Sequence, residues 1–470
     1  MSKKLEIVVL AAGLGTRMKS SLPKVLHEVG GVSMLELLLT ALSESPSAQN
    51  IVAFNIVVGY EKQTVIDQVG KFVSKLSVPV FFSTQDQQLG TAHAVSCALA
   101  ESARRNVKAD AVAVFNGDLP LFTPQAFEEF LAAHAAAKSS ATMATTELPD
   151  ATGYGRILRK GGKFVGSVEH KDATAAQRKI KEFNGGVYLF DKATLEFALK
   201  NVGTKNSQKE FYLPDVFSVA LKKKLKIHAH KYVDADLMRG ANNMKELAEA
   251  QKILYARIAE RWMIEGVFIH DPSVTWIGPR VKLARGVVIA PFTKISGNTT
   301  VAENVKIGSH CNLNDIVIGE KSVIKDSVVA DQAVVGRECA VGPMAHFRPG
   351  TKLADRVKAG NFVEIKQASL GEKTSVSHLS YVGDAEIGRG VNLGCGFITC
   401  NYDGKSKHKT IIGDNVFVGS DSQMVAPIEI ASGTLIASGT TVTASVKEQD
   451  SLVLARVKQI TRPGYAKKYK

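Results

Sequence analysis

From Ile277 onward an aliphatic residue returns at every sixth position: Ile277, Leu283, Ile289, Ile295, Val301, Ile307 and Leu313. The phase slips by one at Ile318 and resumes at Val335, Val341, Phe347 and Leu353, passing through Ala359 to Ile365. Leu370, Val376, Val382, Ile387 and Leu393 follow, then Ile412, Val418, Met424, Ile430, Ile436 and Val442. A period of six is neither the 3.6 of a helix nor the two of a half-buried strand. It is the hexapeptide signature of a parallel β-helix, in which each aliphatic side chain points inward and stacks on its copy in the next coil. Gly often follows the aliphatic residue, as in Ile307-Gly308, Ile387-Gly388 and Val418-Gly419, where a small residue permits a tight corner. The array is interrupted between 399 and 409 by Asn401-Tyr402-Asp403-Gly404-Lys405. Insertions in solenoids become loops on one face, often the binding face.

The first half follows another rhythm. Leu5–Leu10, Ile51–Val58 and Ala111–Phe115 read as buried strands, while 34–42 and 91–103 read as helices. Strand and helix in alternation predict a Rossmann-like α/β domain with a mostly parallel sheet covered on both faces. Ligands in such folds sit at the carboxyl ends of strands, which directs attention to the residues after Leu10 and after Phe115. From Asn242 to Glu265 the spacing of Leu247, Ala250, Leu254, Ile258 and Trp262 is helical, with Gly266 as a stop signal. The chain therefore divides into an α/β domain over 1–241, a helical linker over 242–266 and a repeat domain over 267–470 that ends in a basic tail. The alternative for the linker is a helix packed on the first domain.

Charge narrows the partners. Lys and Arg exceed Asp and Glu by 14, which favours anionic ligands, and phosphorylated metabolites meet that demand as well as nucleic acid does. No zinc-ligand pattern, recognition helix or aromatic RNA signature supports a nucleic-acid scaffold. No apolar run approaches the roughly 20 residues of a membrane span, and the N-terminus lacks the apolar core of a signal peptide. The five cysteines (Cys97, Cys311, Cys339, Cys395, Cys400) are odd in number and scattered. They fit reduced thiols and a cytoplasmic location better than a disulfide framework.

The segment Leu10-Ala11-Ala12-Gly13-Leu14-Gly15-Thr16-Arg17-Met18 follows a strand, and its small residues let backbone N–H groups cradle phosphates. Arg17 and Lys24 add cations. It is not a Walker A loop, since no Gly-Lys-Ser/Thr follows, nor a dinucleotide fingerprint, since Met18 replaces the third Gly. Asp118, just past a buried strand, suits a Mg²⁺ carboxylate or a helix N-cap, and Asn242 could equally cap the linker helix.

The longer run, Leu10–Met18 with Leu22-Pro23-Lys24-Val25-Leu26, resembles the sugar-phosphate nucleotidyltransferases. Gln88-Leu89-Gly90-Thr91-Ala92, Gly117-Asp118, Gly153-Tyr154-Gly155-Arg156, Val168-Glu169-His170-Lys171-Asp172 and Asn184-Gly185-Gly186 continue the match in order. Joined to a hexapeptide half, they resemble the bifunctional N-acetylglucosamine-1-phosphate uridyltransferase/glucosamine-1-phosphate N-acetyltransferase family over nearly the whole chain. The resemblance implies Mg²⁺ on Asp118 and Asn242. It implies nucleotide contacts from Leu10, Ala11, Ala12, Gly13, Lys24, Gln85, Gly90 and Thr91, with Arg17 and Lys24 acting in catalysis, and sugar contacts from Gly155, Glu169 and Asn184. The family commonly has Tyr where Asn116 stands here.

In the repeat half, Phe347-Arg348-Pro349-Gly350, Asn361-Phe362-Val363-Glu364-Ile365-Lys366 and Ser377-His378-Leu379-Ser380-Tyr381 place polar groups on successive coils. Arg348 and Lys366 suit a sugar phosphate. His378 is a candidate general base for acetyl transfer to an amine, a task that suits an imidazole; the alternative is a surface or stacking histidine. The resemblance adds Tyr381 and Asn392 at the amino sugar, and Cys395, Asn401, Tyr402, Ser420, Ser438 and Arg456 at acetyl-CoA. Ser420 and Ser438 could otherwise be corner packing, and the family often has Ala at Cys395 and Ser438. The resemblance further implies a left-handed β-helix, a homotrimer with acetyl-transfer sites between subunits, and the substrates glucosamine 1-phosphate, N-acetylglucosamine 1-phosphate, UTP and acetyl-CoA. The competing expectation is a single-activity nucleotidyltransferase whose β-helix only assembles or regulates it.

Overall fold

The computed structural model describes residues 3–13, 15–455 and 458–469. Leu14 and Arg456, both singled out above, lie outside the described residues. The chain forms two compact units that divide between Leu254 and Tyr255.

In the first unit the strands run, from one edge, Ile227–Lys231, Ala141–Glu147, Glu182–Asp191, Ala111–Asn116, Leu5–Leu10, Ile51–Val58 and Val80–Thr84. Glu182–Asp191 is antiparallel to both neighbours, and the other pairings along this path are parallel. Leu5–Leu10 shows why the run is apolar throughout. Ile7 and Val9 enter the core beneath Leu35, Leu38, Leu42, Phe127 and Phe130, while Val8 enters the opposite core with Val95, Ala98, Val216 and Phe217. A strand covered on both faces has no solvent side to make polar. The helices start where their sequences supply caps: Ser33 accepts from the N–H of Glu36 before Met34–Ser43, and Thr123 accepts from Ala126 before Pro124–Ala137.

The helix Met244–Ile264 crosses the division between the units. Its first turns are packed: Ala250, with Leu247, Ile253 and Leu254, joins Val29, Met34, Leu121 and Ala241 in a small apolar cluster. Gly266 then takes φ +92°, a left-handed position that stops the helix at little steric cost.

The second unit is a left-handed parallel β-helix. Each coil has three short strands, and each strand pairs with its counterpart one coil later. On the first face Ile289 pairs with Ile307, Ile307 with Ile324 and Ile324 with Val341. On the second, Ile295 pairs with Leu313 and Leu313 with Ala330; on the third, Leu283 pairs with Val301 and Val301 with Ile318. The phase slip at Ile318 is a coil shortened by one residue, since Lys282 pairs with Thr300 but Thr300 with Val317. Ala359 fills its gap as a fully buried rung opposite Val341. The interruption after Thr399 lies outside the ladder: Leu370 pairs with Ile387, and Ile387 then skips the loop to pair with Ile412.

Inside the corners a second, polar ladder runs beside the aliphatic one. Thr293, Thr351 and Thr374 are buried and donate to the carbonyls of Gly308, Ile365 and Gly388. Cys311 and Cys339 do the same work, their thiols reaching Lys325 O at 3.2 Å and Ala354 O at 3.1 Å. Burial pushes the Cys311 thiol up to about 11, so this sulfur is a structural donor and not a nucleophile. All five cysteines are free.

Candidate functional site

The carboxyl ends of Leu5–Leu10 and Ala111–Asn116 frame a cleft of about 370 Å³ in the first unit. Leu10, Ala11, Ala12, Gly13, Lys24, Gln85, Gly90, Thr91, Asp118 and Asn242 all line it, so residues scattered over the sequence converge on one cavity. Two glycines are dictated by space. Gly90 has φ +108°, and a Cβ there would lie 2.5 Å from Phe211 O; at Gly15, φ +60°, it would meet the Lys24 Cβ at 2.8 Å. Gln85 is buried and donates to Gly90 O at 3.0 Å. Thr91 accepts from the Leu213 N–H.

Lys24 sits at the centre. Its ammonium pairs with Asp118 Oδ2 and donates to Asn242 Oδ1 at 2.6 Å, and Arg17 donates to the same Asn242 oxygen at 2.8 Å. The capping alternatives do not hold for either oxygen donor. Asn243, not Asn242, accepts from the Glu246 N–H at the start of the linker helix, while the Asn242 N–H and carboxamide NH₂ are both held by Glu246. The Asn242 carbonyl is thereby turned toward Lys24. Likewise Thr123, not Asp118, caps the helix that follows the strand.

Gly155, Glu169 and Asn184 form a neighbouring cluster. A Cβ on Gly155 would touch Glu169 Oε1 at 3.0 Å, and the Asn184 N–H donates to Gly155 O at 2.9 Å. Asn184 also donates to the Tyr188 hydroxyl at 2.7 Å. Burial, reinforced by Asp215 and Asp172, raises the Glu169 carboxyl above its usual range. Asn116 lines the cleft and presses against Gly186, so the cluster abuts the cleft at that end. Sequence reasoning gave no role to four further lining residues, Val25, Gln88, Ala94 and Glu210. Gln88 donates to Ala12 O at 2.8 Å, and Glu210 comes from a distant loop. Gln88 stood inside a recognised motif, but nothing local marked Glu210.

The second group of residues lies on the outside of the β-helix, in columns set by register. Arg348 and Lys366 occupy one corner column. Arg348 pairs with Glu364 at 2.9 Å, and the Lys407 amine beside Lys366, with Arg348 nearby, holds Lys366 below its ordinary pKa. Lys407, from the interrupting loop, carried no sequence signal, yet it completes a three-cation patch. On the adjoining face Glu364 pairs in register with Tyr381, and Asn401 donates to Asp384 and lies 3.5 Å from the Tyr381 hydroxyl.

One corner further, the register Asn361↔His378 continues through Gly396 N–H to His378 O, Asp421 N–H to Cys395 O and Gly439 N–H to Ser420 O. Asn361, His378, Cys395, Ser420 and Ser438 therefore form a single column on consecutive coils. Asn392 lies around that corner, on the face where it pairs with Phe417. Tyr402 is exposed on the loop, its hydroxyl donating to Gly404 O. One chain thus brings together Arg348, Lys366, Tyr381 and Asn401, and separately the His378 column, while Asn392 faces another direction.

Comparison with known proteins matches both regions. A MobA-like NTP transferase domain covers residues 7–170, and a GMPPB C-terminal domain covers residues 269–370. A bifunctional GlmU protein of Exiguobacterium is 42% identical over 462 residues, covering 98% of this chain and 99% of its own. The chain belongs to the bifunctional GlmU family. Two further members, from Halalkalibacterium halodurans and Staphylococcus haemolyticus, are each 41% identical, covering 98% of this chain and 98% and 99% of their own lengths. Membership spans both units, so the family is not represented by the nucleotidyltransferase half alone. Among the described residues no helix is long and apolar enough to cross a membrane.

Proposed function

We propose that the chain performs two consecutive reactions of UDP-N-acetylglucosamine synthesis, one in each unit. In the repeat domain the amine of glucosamine 1-phosphate attacks the thioester carbonyl of acetyl-CoA; His378 takes the amine proton, the C–S bond breaks, and His378 returns that proton to the departing sulfur, so that coenzyme A leaves as the thiol. No covalent acetyl-enzyme is required, so Cys395 need not act as a nucleophile. Arg348 and Lys366, joined by Lys407, hold the sugar phosphate. Tyr381 and Asn392 orient the amino sugar, and Cys395, Ser420, Ser438, Asn401 and Tyr402 line the acetyl-CoA path.

In the α/β domain the phosphate oxygen of N-acetylglucosamine 1-phosphate attacks the α-phosphorus of UTP, the α–β phosphoanhydride bond breaks, and pyrophosphate leaves. Positioning and charge neutralisation supply the rate, because no enzyme nucleophile is needed. The loop Leu10–Gly13 and the cations Arg17 and Lys24 hold the phosphates. Gln85, Gly90 and Thr91 hold the nucleotide, and Gly155, Glu169 and Asn184 the acetylated sugar. Asp118 and Asn242 fit Mg²⁺: both present hard oxygen donors to one point, where the Lys24 ammonium already bridges them. Such a sparse protein set suits an ion that takes its remaining ligands from water and substrate phosphates; when bound it supplies Lewis-acid neutralisation of phosphate charge.

The observation that carries this reading is the coexistence of two chemically distinct clusters, a nucleotide-sized cleft and a cationic, imidazole-bearing prism surface, in a member of this family whose match spans both units. We further infer a homotrimer. Val317, Val323, Val329 and Val334 expose apolar side chains on successive strands of the prism, and a second copy would bring an Asn392 face opposite the Tyr381 face. The substrates and the free thiols agree with a cytoplasmic setting. The test is mass spectrometry of products from glucosamine 1-phosphate, acetyl-CoA, UTP and Mg²⁺, leaving out one component at a time. UDP-N-acetylglucosamine should need all four. Without UTP the product should stop at N-acetylglucosamine 1-phosphate; failure to acetylate would leave only a nucleotidyltransferase.

A further inference from the structure

The column that contains His378 shares a bonding rule with another corner of the prism, where Asp355 accepts from the Arg337 N–H and Asp414 from the Arg389 N–H. Where the chain turns from the first face to the second, a polar side chain can reach back to the backbone N–H of the preceding coil. Asp326 does so, its Oδ1 accepting from the Ser309 N–H at 2.8 Å. Asn361 stands at the same corner two coils later, because Ile324 pairs with Val341 and Val341 with Ala359. The residue it would reach back to is Pro343, which has no N–H. Asn361 Oδ1 is accordingly sealed from solvent with no hydrogen-bond donor. A buried carbonyl left this way is costly, so its persistence calls for a partner on the other side.

The next coil carries His378 at this position. The two residues are register partners on adjacent parallel strands, which lie about 4.8 Å apart. Each is followed by a residue in the left-handed region, Phe362 at φ 54° and Leu379 at φ 45°, so both coils turn alike at this corner. Asn361 offers an acceptor, and a neutral imidazole carries one N–H donor and one free nitrogen.

We propose that Asn361 is a positioning residue for His378: its Oδ1 accepts the N–H of one ring nitrogen and so leaves the other nitrogen unprotonated to take the proton of the attacking amine. This rests on the acetyl-transfer role of His378 proposed above. Outer partners of this kind typically account for 10–100-fold when removed. Asn361→Ala should lower kcat of acetyl transfer about 10–50-fold with KM for both substrates within about twofold, while uridyl transfer by the same protein is unchanged. Asn361→Leu, which fills the space without an acceptor, should match it, and Asn361→Asp, which keeps an oxygen acceptor, should recover most of the loss. Uridyl transfer and the thermal midpoint report on folding in each variant. Overturning results are kcat within twofold of wild type in both acceptor-free variants, a raised KM at unchanged kcat, or an Asp variant as slow as Ala. Acetyl transfer that survives His378→Ala at the wild-type rate would instead remove the underlying reading, and the inference with it.

Discussion

The two sites are built on opposite principles. In the α/β domain the strand ends converge, and a single chain folds residues from Leu10 to Asn242 around one concavity. On the β-helix every coil points its functional groups outward from a convex prism. Neighbouring columns can cooperate, as Arg348, Lys366 and Lys407 do, but a face and the one around its corner cannot meet. A cleft fold completes its site alone, whereas in the homotrimer proposed above a prism offers one wall and takes the other from a second copy. The uridyl site should therefore be indifferent to assembly and the acetyl site dependent on it.

The sharpest way to break that contrast is to disable each site separately. Asp118→Ala should lower uridyl transfer about a thousandfold or more, if it removes the carboxylate proposed above to hold Mg²⁺. Acetyl-CoA turnover, followed by thiol release, should be unchanged. His378→Ala should lower acetyl transfer about 10²–10³-fold by removing the proposed general base, with pyrophosphate release intact. Cross-effects between the two would show that the sites are not independent.

A smaller effect tests the missing wall directly. Co-expression of His378→Ala chains with Asn392→Ala chains should yield mixed trimers with about a quarter of wild-type acetyl transfer, if each site takes one of these residues from each of two copies. Mixing the separately purified homotrimers without exchange should give none, and recovery no better than the separate variants would mean that one chain supplies both residues. Pairing two uridyl-site variants, Asp118→Ala with Lys24→Ala, should never complement.

The smallest effect concerns Glu169. Its raised carboxyl means that the folded chain holds this proton more tightly than the unfolded chain. Folding stability therefore falls as pH rises from the ordinary carboxylate value through the raised one. Glu169→Gln should match wild type below that window and melt slightly higher above it, as scanning fluorimetry from pH 4 to 8 would show. The same variant should raise KM for N-acetylglucosamine 1-phosphate about 3–10-fold by weakening one hydrogen bond.

What the sequence disclosed, and what it withheld, follows the same division. The six-residue period exposed the prism because its core is one-dimensional: each inward position repeats, and the slip at Ile318 is visible as a shortened coil. The inward Thr and Cys ladder escaped notice because a search for aliphatic residues passes over polar ones, although Thr293 and Cys311 are as buried as their apolar neighbours. In the cleft, Leu10–Gly13 and Asp118 were legible as strand-end motifs. Glu210 was not, since only tertiary folding carries its loop there. Asn242 and Asn243 look alike in sequence, and the difference between capping a helix and facing Lys24 appears only in which carbonyl Glu246 leaves free. Lys407 stayed hidden because charge in a loop is ordinary until the fold sets it beside Lys366.

The ladder of inward hydroxyls and thiols has a mechanical consequence. Each rung ties only the coil above it, so the prism resembles a zipper more than a globule, and damage stays where it falls. Loosening of the last pairing, Leu435 with Leu452 and Ile436 with Val453, can unpick the tail tooth by tooth while the rungs around His378 stay closed.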